Sequence, residues 1–166
     1  VDRTLAVINQ NNVIDGGSAD NNGTYVKVKQ GLPSSSDVQT YVPSNQMAIT
    51  QLAIEYCNAL VEDNGTTIPR ATYFPNVTFS GSSPQYALTG AERDDVIDPL
   101  LEHVFNVDGA TELSTMPAAA TVRTHLYRLM DDLNNSCTGN CSVARSMTII
   151  KSTCAAAIAS APMLLQ

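Results

Sequence analysis

The chain has 166 residues, 43% hydrophobic and only 15% charged, with nine Lys and Arg against sixteen Asp and Glu and a net charge of −7. That length fits one domain (residues 1–166), which needs no cross-link to fold because a chain of this size buries about 70% of the surface it exposes when unfolded. The few scattered cations argue against a phosphate-neutralising surface, so nucleic acid and anionic membrane are set aside as partners.

Residues 1–35 read as an irregular N-terminal portion packed on a helical bundle. Residues 2–8 fit a short helix carrying Leu5 and Ile8, and residues 9–22, rich in Asn, Asp and Gly, read as loop. The alternation Tyr25-Val26-Lys27-Val28-Lys29 argues for a strand, with a short helix ending at Gly31 as the competing reading. Pro43 and Ser44 open the clearest helix, to about Glu62, because Ile49, Leu52, Ala53, Tyr56, Cys57 and Leu60 fall on one stripe. Asp63-Asn64-Gly65 ends it. Residues 66–88 hold three prolines and the aromatics Tyr73, Phe74, Phe79 and Tyr86. They read as a long ordered loop lying over the helices, with a short strand at Val77-Thr78-Phe79 as the alternative.

Thr89-Gly90-Ala91-Glu92 matches a capping box, and the helix it starts should reach Phe105. Pro99 falls inside, so a kink or a fresh start capped by Asp98 is expected. Asp108-Gly109 is a turn. Thr115-Met116-Pro117 begins a further helix to about Leu133, with Val122, Leu126, Leu129, Met130 and Leu133 inward. The last helix spans about residues 143–164, with Met147, Ile150, Cys154, Ala157, Ile158 and Ala161 inward. Its uncharged run, residues 152–166, is shorter than the roughly 20 residues a membrane span needs and reads as core. The sum is an all-α fold, a bundle of four main helices with long ordered loops and no internal repeat.

Four cysteines allow three pairings. Cys137 and Cys141 share a polar turn sequence, whereas Cys57 and Cys154 sit inside apolar stripes. The preferred pairing is therefore Cys137–Cys141, a local tie, with Cys57–Cys154 stapling two helices for ~2–4 kcal/mol. Four reduced thiols, two of them merely buried, are the competing reading.

Several segments resemble parts of large exported proteins of gammaproteobacteria. They are Gln46-Met47-Ala48-Ile49-Thr50-Gln51-Leu52-Ala53-Ile54-Glu55-Tyr56-Cys57-Asn58-Ala59-Leu60-Val61, Thr24-Tyr25-Val26-Lys27-Val28-Lys29-Gln30-Gly31-Leu32-Pro33, Ala71-Thr72-Tyr73-Phe74-Pro75 and Lys151-Ser152-Thr153-Cys154-Ala155-Ala156-Ala157. The resembled proteins often carry laminin-G-like (concanavalin A-like) domains, sometimes with a c-type cytochrome-like segment. The resemblance spans most of the chain and implies an exported setting. It would also make residues 24–30 helical. It carries over neither sugar binding nor haem chemistry, because the lectin-like strands and a haem attachment motif are both missing here.

No recognisable active site is assembled. Cys137 and Cys141 are spaced one residue too wide for Cys-x-x-Cys-His, and Ser142 stands where the axial His would be. His103 and His125 lie on separate helices without the i, i+4 partner of a zinc motif. Asp94-Asp95 and Asp131-Asp132 are adjacent pairs that diverge by about 100° on a helix, so they read as solvated faces. Residues 15–23 are oxygen-rich but lack the acid spacing of a calcium loop. No catalytic, metal or cofactor residue is expected. The sequence reads as a non-catalytic structural or interaction module of an extracellular or cell-surface bacterial protein, begun mid-pattern at Val1 as if excised from something larger. Its partners would be other protein domains or copies of itself. Tyr73, Phe74 and Phe79, with the Ala-rich last helix, are the candidate interaction surface. An accessory domain of a redox or hydrolytic enzyme, or an apolar-ligand-binding bundle, is the alternative.

Overall fold

In the computed structural model the described residues are 43–62, 70–77, 79, 88, 90–105, 117–136 and 143–160. They form an all-α arrangement: α1 (Pro43–Glu62), a single turn α2 (Arg70–Tyr73), a 3-10 turn (Gly90–Arg93), α3 (Asp94–Phe105), α4 (Ala119–Asn135) and α5 (Val143–Ile158). The four long helices are those the apolar periodicity predicts, and no strand occurs among the described residues. Val77 and Phe79 are not in a strand. The expectations for residues 1–35, for Asp108-Gly109 and for Cys137 and Cys141 fall outside the described residues.

α1 begins at Pro43, where the missing N–H costs nothing because the first helical donors have no partner. Leu52, Ala53, Tyr56, Cys57 and Leu60 are buried as the stripe requires, while Ile49 is only half-buried. Ala59 and Val61 are buried as well, because α1 is covered from two directions, by α5 and by the α2 turn. The α2 turn also closes the C-terminal end of α1. Arg70 Nη1 donates to the Val61 carbonyl at 2.9 Å, meeting one of the acceptors the helix end leaves open.

The chain enters α3 through two residues with positive φ, Leu88 (φ 47°) and Gly90 (φ 56°). For Leu88 the left-handed conformation costs roughly 1–2 kcal/mol. Full burial of its side chain in the core offsets this with about 1.5–3 kcal/mol. A 3-10 turn over Gly90–Arg93 leads directly into the α-helix, which starts at Asp94; Thr89, the cap of the expected box, lies outside the described residues. α3 then runs unbroken through Pro99, so Asp98 caps no fresh start. Its inward residues are Val96, Ile97, Leu100, Leu101, Val104 and Phe105, and Asp94 and Asp95 occupy the first turn, where the helix dipole favours anions.

α4 starts two residues beyond Pro117. Ala118 is extended (φ −54°, ψ 139°), and its carbonyl accepts the first bonds, from the Thr121 and Val122 amides at 2.8 and 3.2 Å. Leu126 and Met130 are buried, whereas Val122, Leu129 and Leu133 are half-buried. The other end is held from outside: Arg145 Nη2 of α5 donates to the Leu133 carbonyl and to Ser136 Oγ. α5 stops at Ile158, earlier than its apolar pattern suggests, ahead of Pro162, whose ring disfavours helical backbone at the residue before it. Met147 is half-buried, and Ala161 lies outside the described residues.

Cross-helix contacts fix the directions. Along α1 the order Gln46, Cys57, Glu62 meets Ala159 just past the end of α5, then Cys154 and Lys151 on it, so the two helices are antiparallel. Arg93, Asp94 and Asp98 meet Asp131, Tyr127 and Arg123 in the same reversed sense, so α3 and α4 are antiparallel too. α5 touches α1, α3 and α4 and is the hub of the bundle. Its small residues Ala155 and Ala157, and Ala159 just past its end, are buried, which lets neighbouring helices come close. The buried apolar residues of all the elements form one cluster, as a single core requires.

Candidate functional site

Cys57 and Cys154 form a disulfide, with Cα atoms 5.8 Å apart and a sequence separation of 97. Both are 0% exposed, so the bond lies inside the core at the α1–α5 contact, as their place in apolar stripes predicts. Cys137 and Cys141 lie outside the described residues.

The aromatic surface proposed from sequence turns inward. Tyr73 is 3% exposed and Phe74 0%, and Phe79 is half-buried against the core. Tyr73 and Phe74 pack edge to face at 4.7 Å, Phe79 follows at 6.1 Å from Phe74, and the Arg70 guanidinium covers the Phe79 ring at 4.7 Å. Tyr73 and Phe74 thus serve the chain's own core and present no docking face. Sequence alone gives an aromatic cluster but not its direction. The Tyr73 hydroxyl is buried without a hydrogen-bond partner among the described residues. Burial, with Glu102 nearby, pushes its phenol well above the ordinary tyrosine range. His103 lies beside the Tyr73 ring at 4.7 Å.

A polar seam joins α3 to α4. Asp94 Oδ1 accepts from Arg123 at 2.8 Å and from the Tyr127 hydroxyl, and Arg123 also pairs with Asp98 at 2.5 Å. Arg93 pairs with Asp131 at 2.6 Å and lies over the Tyr127 ring at 4.6 Å. The hydrogen bond to Asp94, followed by burial, raises the Tyr127 pKa. The reading of Asp94 and Asp131 as merely solvated is therefore incomplete: each ties two helices together. No such cation pairs with Asp95 among the described residues. Burial first, then Asp94, Asp98 and Glu92, raises its pKa above the ordinary aspartate value.

Surface grooves also lie among the described residues. One, of about 330 Å³, lies where α3, α4 and α5 meet and is lined mainly by Phe105, Pro117, Val122, Leu126, Leu129 and Ala157, with His125 and Ser160 at its polar edge. The other, of about 450 Å³, runs between α1 and α5 beside Ile54, Glu55, Asn58, Thr148, Lys151 and Ser152. Ile54 is 54% exposed, and Met47, seven residues earlier on α1, is 75% exposed. Among the described residues no three His, Cys, Asp or Glu side chains gather as a metal-binding group. Within the same residues no helix is long and apolar enough to cross a membrane. No family model, curated protein or solved structure matches the chain. The arginines that hold this arrangement, Arg70, Arg93, Arg123 and Arg145, carry no motif that sequence reasoning singles out. Only the i, i+4 spacing of Asp94 and Asp98 signals a cation shared from another helix.

Proposed function

We propose that the chain is a non-catalytic structural and interaction module that works outside the cytoplasm, within an exported bacterial protein, and engages other protein domains or copies of itself. The observation that carries this reading is the Cys57–Cys154 disulfide at the centre of the helical core. Such bonds persist in oxidising compartments and are rare where cytosolic thiols keep cysteines reduced. The low charge of the chain supports the same setting. Exposed Ile54 and Met47 and the groove at the α3–α4–α5 junction supply apolar area for contacts with neighbours. Two measurements test the reading. Alkylation under denaturing, non-reducing conditions should leave Cys57 and Cys154 unmodified in protein recovered from its native compartment. Light scattering across a concentration series should show association. Reduced cysteines in native material, or a strict monomer that binds no neighbouring domain of the parent protein, counts against it.

The α3–α4–α5 groove favours one second reading, an apolar-ligand-binding bundle. Its volume of about 330 Å³ lies at the lower end of small-molecule sites. Native mass spectrometry of the purified chain separates the two. A copurified apolar molecule, lost when Leu126→Asp alters the groove floor, supports the ligand reading.

A further inference from the structure

We infer that the Cys57–Cys154 disulfide is closed to thiol exchange in the folded protein and becomes reducible only when α5 parts from α1. Exchange requires a thiolate to reach one of the two sulfurs. As the new S–S bond forms, the old one breaks and the departing sulfur leaves as a thiolate that takes a proton from water. With a dithiol reductant, its second sulfur then displaces the remaining protein sulfur. The products are two protein thiols and one oxidised reductant. Neither Cys57 nor Cys154 has any exposed surface for the first of these steps. Around them Ala53, Tyr56 and Leu60 of α1 and Ile150, Ala157 and Ile158 of α5 are buried. The helix pair is also clasped on both sides of the bond. Gln46 Nε2 donates to the Ala159 carbonyl at 2.9 Å on one side, and Lys151 pairs with Glu62 on the other. Access therefore needs a separation of helices that also opens the core.

The bond is then no redox sensor. Its oxidation state is set while the chain folds, because an oxidant faces the same barrier once α1 and α5 have met. Later changes in the surrounding thiol pool leave it untouched as long as the core stays closed.

The test uses the intact oxidised protein and dithiothreitol over a urea series. Released thiols are trapped by alkylation, Cys57 and Cys154 are identified by peptide mass, and folded fraction is followed by circular dichroism. Reduction without urea should be at least ~10³-fold slower than in the urea-unfolded chain, the lower bound set by ordinary folding equilibria. The rate should also climb with urea in step with the opened population. A smaller ratio, or a rate flat across the folded baseline, overturns the inference and makes the bond directly accessible.

Discussion

Single residues in this bundle carry costs that their surroundings compensate, and removing either side of the balance gives measurable effects. The buried Tyr73 hydroxyl has no partner among the described residues, and an unsatisfied buried donor costs about 1–3 kcal/mol. Tyr73→Phe keeps the ring packed on Phe74 and removes that burden, so it should stabilise the fold by roughly 1 kcal/mol in urea denaturation. Gly90 has open space where a Cβ would go, but its φ of 56° disfavours any L side chain. Gly90→Ala should therefore destabilise by about 1 kcal/mol through backbone conformation alone. Asp95 yields a signed pH effect. Its folded pKa is raised, so its favourable contribution is present when it is protonated and is lost as pH rises through the folded value. The stability of Asp95→Asn relative to the parent should be more positive at pH 7 than at pH 3, read as the difference in thermal midpoint. A difference that is flat or opposite in sign would show that Asp95 is not disfavoured in its charged form.

At the scale of elements, the helices follow from apolar spacing, but their ends do not. α1 is legible because Leu52, Tyr56 and Leu60 repeat at the helical period and Pro43 suits a first position. The starts of α3 and α4 shift because backbone conformation at Leu88, Gly90 and Ala118 decides them, and residue type reports φ weakly outside glycine. The cations are illegible for a different reason. Arg145 meets Leu133 and Arg93 meets Asp131 only after helices have been placed in space, so no local spacing announces either contact. The same holds for Tyr73 and Phe74, whose composition marks them as contact-makers without saying with what. The α3–α4 seam is half-exposed, so each of its ion pairs contributes less than about 1 kcal/mol. Because Arg123 joins two carboxylates, Arg123→Ala should cost about 1 kcal/mol in total. It should also raise amide exchange at the start of α3 more than in α1, and equal rises in both helices would count against a local tie.

For the whole molecule, the antiparallel α1–α5 pair with its covalent link is the frame on which the other helices pack. Loop-closure entropy for a span of 97 residues sets a ceiling of about 4–5 kcal/mol on the stabilisation, above the ~2–4 kcal/mol typical of such bonds. The double substitution Cys57→Ala, Cys154→Ala should lower the urea midpoint accordingly, less whatever strain the native bond carries. That it is these two cysteines that meet was legible because both fall on inward stripes. That α5 is the hub was legible only in part, through its alanines, since small residues permit close approach without naming which helix approaches.

The link at 57 and 154 also joins sequence ends that peptide bonds alone would leave separable. A protease that cuts once anywhere between those positions yields two pieces still held as one covalent molecule. Such nicked material should migrate as a single species on a non-reducing gel and as two after denaturation with reductant. Cleavage within that span would thus leave both halves attached long after the backbone has lost continuity.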